Sequence, residues 1–315
     1  VVRVENTVSG QSREIFAKAG VNAAGPWVND VIGRVAGANS SRLVKLVKGS
    51  HIIVPKFWHG QQAYLIQNHD KRVIFINPYE DDKALIGTTD IAYEGDPNNV
   101  SVDKGEIEYL LEAVNRYFEK PLQEEDVVAS FSGVRPLFDD GNGNPSAITR
   151  DYVLDLDRSR GAPLLNIFGG KITTYRKLAE HAVQELKAIF PQMGPSWTAI
   201  EPLPGGDILD ANFDAFLLEL QRQYSFLPSD LVKHYARLYG TRATHIIGNA
   251  SHIKQLGNQF GPLLFEAELE FLVEYEWACC ADDVLKRRTK HGLTVNPDEV
   301  AQINEWFKNE HSKTV

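Results

Sequence analysis

The feature that most constrains the fold is a change of sequence character near Gln192. Before it, short apolar runs typical of β-strands are interleaved with a few helical segments. After it there is almost no strand pattern, and five segments have the apolar spacing of amphipathic helices. The sequence therefore predicts an α+β fold, in which a mixed β-sheet part is followed by an all-helical C-terminal part.

A stretch rich in proline and glycine, PQMGPSWTAIEPLPGGD, lies at this change of character and is typical of a linker. A chain of 315 residues can bury two hydrophobic cores. We predict a first domain over residues 1–194, a linker over 195–206 and a helical domain over 207–315.

Composition excludes several classes of function. The formal net charge of −9 argues against a nucleic-acid-binding protein. No apolar run approaches the roughly 20 residues that span a bilayer, although binding to a membrane surface stays open. The two cysteines, Cys279 and Cys280, are adjacent, which favours a reducing compartment and offers no CxxC pair for zinc or an iron–sulfur cluster. We therefore expect no metal site.

A glycine pair stands between an apolar run and a helix in NIFGGKITTYRKLAEHAVQEL, which begins at Asn166. Two glycines let a ligand approach the backbone, and the first helical N–H groups favour negative charge, to which Lys171 adds a cation. Thr173 or Thr174 is expected to cap the helix. The alternative is an ordinary strand–turn–helix with a surface lysine. The spacing is not that of a P-loop, and the sequence contains no GxGxxG motif.

A second small-residue turn occurs in VNAAGPW, where Ala23, Ala24 and Gly25 follow a predicted strand and precede a predicted helix. Small side chains at this point again allow close approach of a ligand to the backbone. Tight packing of the helix on the strand is the alternative explanation.

Four further side chains are candidate substrate ligands. His51 lies in KGSHIIVP, Arg135 in SFSGVRPLF, Arg150 in SAITRDY, and Lys171 follows the glycine pair. Alone, the histidine could be structural and each arginine could form a surface ion pair. Together, three cations at strand ends would suit a phosphate or carboxylate, which an arginine fork binds through two hydrogen bonds.

Several of these segments resemble one family of flavoproteins. VNAAGPWV, KGSHIIVP, IGTTDIAYEGDP, SGVRPL, AITRDY and FGGKITTYRKLAEHA occur in this order in the aerobic, FAD-dependent glycerol-3-phosphate dehydrogenases. The resemblance continues through LPGGD, HYARLYG and EAELEFLVEYEWACCADDVLKRRT. It covers essentially the whole chain.

The resemblance implies oxidation of sn-glycerol 3-phosphate to dihydroxyacetone phosphate, with hydride transfer to FAD and electron transfer to membrane quinone. Such an enzyme would be peripheral, on the cytoplasmic side of the inner membrane, and could form a homodimer. The resemblance places His51, Arg135, Arg150 and Lys171 around the substrate. His51 and Arg135 would be catalytic, since a neutral imidazole could accept the hydroxyl proton. Alternatively, an arginine could lower the pKa of the alcohol while water takes the proton.

The resemblance also implies which residues line the flavin. These residues are Ala24, Gly25, Gly169, Gly170, Lys171, Ile172 and Thr173. The N-terminal third of that family, which carries GxGxxG and holds the FAD pyrophosphate, has no counterpart here. We expect the 315-residue chain alone to purify colourless, and a stoichiometric flavin spectrum would contradict this expectation.

Two other functions remain open from the sequence. One is a glycerol-3-phosphate oxidase that passes electrons to oxygen; such oxidases commonly carry an inserted segment, and none is obvious here. The other is a non-catalytic helical interaction module, with DDVLKRRTKHG as a basic docking patch. The anaerobic relatives are disfavoured because their cysteine cluster is missing.

Overall fold

The computed structural model describes residues 1–7, 9–36, 44–138, 151–159 and 161–310. Its chain separates into two compact units. The first comprises residues 1–6 and 11–196, and the second comprises residues 7–10 and 197–315. The first unit is built around β-sheets and the second around helices, so the predicted α+β fold is confirmed.

The strands lie in the first unit and are all short except the fourth and the ninth. They are β1 (Val2–Glu5), β2 (Ser12–Ile15), β3 (Gly20–Asn22), β4 (Val44–Pro55), β5 (Tyr64–Gln67), β6 (Val73–Tyr79), β7 (Lys83–Gly87), β8 (Ile91–Ala92), β9 (Ala129–Phe138), β10 (Val153–Asp157) and β11 (Leu164–Phe168). Three helices accompany them: α1 (Val28–Ala36), α2 (Lys104–Asn115) and α3 (Tyr175–Leu186).

The larger sheet is antiparallel and is organised around β4. One edge of β4 pairs with β9 along ten residues, and the other pairs with β7 and then with β8. β5 and β6 continue the sheet beyond β7. Helix α2 covers one face, where Leu110 and Val114 pack against Ile52 and Val54 of β4. Because side chains alternate along a strand, the neighbours of Ile52 and Val54 point to the opposite face.

A smaller sheet holds the two glycine-containing turns. β11 pairs antiparallel with β10 and parallel with β3. Phe168 packs with Val28 and Ile32 of α1, and Leu165 packs with Ala182 of α3. The sheet therefore lies between two helices, and the turns after β3 and β11 lead into α1 and α3.

The second unit has its own hydrophobic core, centred on the fully buried Leu231, Tyr235, Leu264 and Leu269. Its helices are α4 (Phe213–Gln223), α5 (Ser229–Tyr239), α6 (Ala243–Ile247), α7 (Glu266–Glu276) and α8 (Pro297–Glu310). Each overlaps one of the five helical segments that the apolar spacing predicts. The core encloses a carboxylate, Glu268, whose oxygens contact His234, His291 and Tyr239.

Helix α7 ends earlier than its sequence suggests. The periodicity predicts a helix over 263–280, but α7 stops at Glu276. Trp277 adopts a left-handed conformation with φ of 55°, and its N–H donates to the carbonyl of Leu272. A bulky residue seldom adopts this conformation, so no local signal marks the end of the helix.

The predicted linker consists of turns and irregular backbone and is largely exposed. We expect limited proteolysis to cut within residues 194–206 before any other internal segment, because exposed backbone without regular structure is the preferred substrate of proteases. Trypsin cannot test this, since no lysine or arginine lies between Lys187 and Arg222. Thermolysin, or a glutamate-specific protease acting at Glu201, provides the measurement. If the first cuts all fell outside residues 194–206, they would contradict the predicted domain boundary.

Candidate functional site

The face of the larger sheet opposite α2 carries a continuous row of side chains. Across five neighbouring strands, successive cross-strand partners are Leu65, Phe75, Gly87, His51 and Phe131. Leu65 is 63% exposed, and Phe75 and Phe131 are each 47% exposed. This face therefore combines apolar side chains with a histidine at its centre, and it is accessible in the structure.

The imidazole of His51 is held between two neighbours. It stacks on the ring of Phe131, with a centroid separation of 5.0 Å and an interplanar angle of 10°. On the other side, a Cβ at Gly87 would lie 2.1 Å from the His51 Cδ2 atom. Only glycine at position 87 leaves room for the ring in this orientation.

The surroundings of His51 favour its neutral form. Burial, assisted by the positive charge of Arg135, lowers the pKa of His51 below its ordinary value of 6.5. Its Nδ1 atom is buried and has no hydrogen-bond partner among the described residues. The imidazole is thus neutral at pH 7, and Nε2 is the ring nitrogen left to meet a ligand.

Arg135 lies on the same face as His51, four residues further along β9 from Phe131. Its Nη1 forms an ion pair of 2.6 Å with Asp90 Oδ1, and its Nη2 donates to Thr88 Oγ1 at 2.9 Å. A Cβ at Gly49 would lie 2.3 Å from Nη2, so the guanidinium passes directly over this glycine. With 31% of its side chain exposed, Arg135 presents a fixed cation at the surface.

Behind this face, a buried polar network supports the segment that orients Arg135. Glu106 of α2 is 2% exposed and forms an ion pair of 2.7 Å with Lys48. Its Oε1 accepts hydrogen bonds of 2.7 Å from both Ser50 and Thr89. Burial alone would lower the pKa of Lys48, but hydrogen bonds from its ammonium to Glu106 and Asp103 raise it. Glu106 therefore joins β4, α2 and the loop that contains Thr88 and Asp90.

We expect Glu106→Gln to lower the free energy of unfolding by about 2 kcal/mol, because the buried Lys48 keeps only one of its two carboxylate partners, Asp103. Chemical denaturation followed by circular dichroism measures the change. Glu108→Gln is the matched control, since Glu108 lies on the same helix with 63% of its side chain exposed and should change stability by less than about 0.5 kcal/mol. Equal stabilities of the two variants would contradict this assignment.

The glycine pair after β11 has a backbone conformation that residues with a side chain rarely adopt. Gly169 has φ of 70° and Gly170 has φ of 102°, a region that favours glycine. A Cβ at Gly169 would lie 2.9 Å from the Asp151 carbonyl oxygen and 3.6 Å from that of Pro136. This turn therefore lies against β9, one residue beyond Arg135. Lys171, Ile172 and Thr173 follow it and are exposed.

The expected threonine cap on α3 is wrong. Thr174 occupies the capping position but its side chain accepts no hydrogen bond from the helix. Its hydroxyl donates instead to the Lys171 carbonyl at 3.1 Å. The intervening 3-10 turn at Ile172–Thr174 carries the hydroxyl away from the first amides of α3.

The small-residue turn after β3 is fixed by a buried asparagine. Asn22 Nδ2 donates to Asn166 Oδ1 at 2.9 Å and to the Val28 carbonyl at 3.0 Å, which links β3, β11 and the start of α1. Gly25 has φ of 54°, and a Cβ there would meet no atom within 4 Å. The 3-10 turn at Gly25–Trp27 also contacts β9. Both small-residue turns therefore adjoin the strand that carries Arg135.

The structure brings together some of the predicted site residues. His51 and Arg135 share one face, and the turns with Ala24, Gly25, Gly169 and Gly170 adjoin β9. Arg150 lies outside the described residues, so the predicted cluster of three cations stays a prediction. The ligand-binding roles of all these residues likewise remain predictions.

Sequence reasoning missed four supporting residues, Thr88, Asp90, Glu106 and Phe131. The segment IGTTDIAYEGDP contains Thr88 and Asp90, but its spacing does not reveal a partner 45 residues away. A usable signal was present in the isolated glycines at positions 49 and 87, because a glycine within a strand often marks a close approach by another group.

No helix in the described ranges is long and apolar enough to cross a membrane.

Comparisons with known proteins agree with this architecture. Residues 1–176 match the family model of FAD dependent oxidoreductases, and residues 196–307 match the C-terminal domain of alpha-glycerophosphate oxidase. Over 98% of the chain, it is 59% identical to D-erythritol 1-phosphate dehydrogenase from Brucella abortus and 45% identical to aerobic glycerol-3-phosphate dehydrogenase from Escherichia coli.

A solved structure also resembles the chain over almost its whole length. Glycerol-3-phosphate dehydrogenase from Bacillus halodurans, in complex with FAD, superposes on 98% of the chain with a TM-score of 0.81 and 30% identity. The chain spans about three fifths of the length of these relatives, at 62%, 61% and 61%. The resemblance found in the sequence motifs is confirmed. With a family model that matches more than half of its residues, the chain belongs to the FAD-dependent oxidoreductases.

Proposed function

We propose that the protein carrying this chain oxidises sn-glycerol 3-phosphate to dihydroxyacetone phosphate with FAD as its redox cofactor. The observation that carries the proposal is the pairing, on one accessible sheet face, of the neutral His51 with the cationic Arg135. Oxidation of a phosphorylated alcohol needs a proton acceptor for the hydroxyl and a cation for the phosphate. The names of the relatives agree with this substrate class.

The residues of the two turns fit a flavin. Gly25 faces open space, and Gly169 and Gly170 adopt positive φ values at the mouth of a helix. Such a turn lets a planar ring reach the backbone, and the N–H groups before α3 favour negative charge on that ring. Ala24, Gly25 and the segment from Gly169 to Thr173 would hold it. Bound FAD would supply the acceptor for the hydride that leaves the alcohol carbon.

The chain's own residues perform the other steps. Arg135, whose fork Asp90 and Thr88 orient, binds the phosphate dianion. His51 takes the hydroxyl proton on Nε2, since Nδ1 is enclosed. Phe131 and Gly87 fix the plane of the imidazole, so that this nitrogen meets the hydroxyl in one orientation. Arg150 and Lys171 complete the phosphate site in this proposal.

A second substrate has a specific observation in its favour. The relative with 59% identity is named D-erythritol 1-phosphate dehydrogenase. D-erythritol 1-phosphate presents the same two groups, a phosphate and a secondary alcohol, so the same residues would serve both substrates. Quinone would be the electron acceptor at a membrane surface, and oxygen is the alternative acceptor.

The decisive experiment uses a complete protein that contains these residues. Under anaerobic conditions, glycerol 3-phosphate is expected to bleach the flavin absorbance, whereas unphosphorylated glycerol leaves it unchanged. A parallel titration with D-erythritol 1-phosphate ranks the two substrates by the rate of bleaching. Reoxidation by a quinone analogue or by oxygen then identifies the acceptor. An unbleached spectrum with both phosphates would contradict the proposal.

A further inference from the structure

The helical unit buries a cluster of ligating side chains. Glu268 of α7 is fully buried, and its Oε1 lies 3.0 Å from His234 Nε2. Its Oε2 lies 3.4 Å from His291 Nε2. The hydroxyl of Tyr239 donates to Oε1 at 2.6 Å. Two imidazoles and a tyrosine hydroxyl thus meet one buried carboxylate.

The spacing of these atoms suits one metal ion. One ligand atom from each of His234, Glu268 and His291 lies within 4.8 Å of the other two. Zinc binds nitrogen and oxygen at about 2.0–2.2 Å in a tetrahedral arrangement, which places two ligand atoms roughly 3.4 Å apart. Glu268 Oε2 lies 3.3 Å from His234 Nε2 and 3.4 Å from His291 Nε2, so both separations from this one oxygen match such an edge.

A second observation concerns Tyr235, the neighbour of His234 in α5. Tyr235 is fully buried, and its hydroxyl has no hydrogen-bond partner among the residues that the structure describes. Its ring lies 5.5 Å from that of His234. A buried hydroxyl without a partner is unusual, and an ion or its bound water would satisfy it.

We propose that His234, Glu268 and His291 bind one divalent transition-metal ion, with zinc as the best match to two imidazoles and a carboxylate. The ion would join α5, α7 and the 3-10 turn at His291–Leu293, and so stabilise the helical unit. His234, with 16% of its side chain exposed, provides the route of entry. The ligands are 34 and 23 positions apart, which explains why the sequence alone predicts no metal.

The alternative is that the cluster binds a proton and no metal ion. In that case one histidine would be an imidazolium paired with Glu268, and the cluster would be a buried ion pair without affinity for metal. The distinction does not depend on the redox activity, because the readouts are metal content and stability.

The test uses the tag-free 315-residue chain, stripped with a chelator and titrated with zinc chloride in a calorimeter. One zinc ion per chain and a higher melting temperature are expected. His234→Gln and His291→Gln should weaken zinc binding by more than the roughly 10–100-fold that loss of a supporting residue costs. His252→Gln is the matched control, since His252 is exposed in the same unit and should leave the affinity unchanged.

Circular dichroism establishes that each variant is folded before titration. If a variant does not fold, cobalt(II) added to the unaltered chain still decides the question, because imidazole and carboxylate ligands in a tetrahedral site give visible absorption that octahedral aqueous cobalt lacks. Folded chain that binds neither ion stoichiometrically, or binds zinc as tightly after His234→Gln, would overturn the proposal in favour of the protonated pair.

Discussion

Arg135→Ala is expected to lower kcat/KM for glycerol 3-phosphate roughly 150-fold in a complete enzyme that contains this chain. This factor corresponds to a loss of about 3 kcal/mol of transition-state stabilisation. The reason is that a phosphate dianion taken out of water loses a charged partner that Asp90 and Thr88 hold in place. Arg135→Lys should recover only part of the loss, because lysine lacks the planar fork. Steady-state kinetics with both variants measures the effect.

Two controls separate the loss of phosphate recognition from a general effect of the substitution on folding. Turnover of unphosphorylated glycerol, although poor, should be much less sensitive to Arg135→Ala. Arg116→Ala removes another arginine of the same unit, paired with Glu112 of α2 and 40% exposed, and should leave the kinetics unchanged. Unaltered kinetics of Arg135→Ala on glycerol 3-phosphate would refute the role. The guanidinium of Arg150 on the opposite face of the domain would refute the predicted cluster.

His51→Gln is expected to lower kcat by roughly 10²–10⁴-fold, the usual contribution of a general base. Because burial and Arg135 lower the pKa of His51, the unaltered enzyme should lose kcat/KM only as the pH falls below 6.5. That acidic limb should vanish in His51→Gln, and it should move toward higher pH in Arg135→Gln, where the repelling charge is gone. The pH dependence of kcat/KM supplies the measurement.

The lowered pKa of His51 also predicts that the stability of the fold depends on pH. The folded-state pKa of His51 lies below the unfolded value of 6.5, so its contribution to stability is complete above 6.5 and is lost as the pH falls through the lower, folded-state pKa. His59→Gln is the control, since His59 is exposed in the same unit.

A His51→Gln enzyme that retains both its rate and its acidic limb would show that water accepts the proton instead.

The elements of the fold were largely predictable, because local apolar spacing determines which face of a strand or helix is buried. The site was predictable only in part. His51 and Arg135 were visible as unusual residues in apolar strands, but the partner of each depends on the register between β4, β7 and β9. Phe131 meets His51 from 80 positions away, and no local pattern encodes that pairing.

The end of helix α7 was also not predictable from the sequence. Its apolar period continues past Glu276, but Trp277, which is 81% exposed, turns the chain into a left-handed conformation, and Arg288 donates to the Glu276 carbonyl from 12 positions away. Glu106 follows the capping residue Asp103 by three positions, a spacing that indicates its role in the capping box of α2. Its second role, as the partner of Lys48, needs the sheet in place.

Glycines within β4 and β7 have a consequence for reading function from related sequences. Gly49 and Gly87 leave the volumes that the guanidinium of Arg135 and the imidazole of His51 fill. Alanine at either position, normally the mildest of substitutions, would displace the guanidinium or the imidazole while leaving every charged residue unchanged. A relative that keeps His51 and Arg135 but has a larger residue at position 49 or 87 would hold these groups in a different geometry, and a search for the polar residues alone would miss the difference.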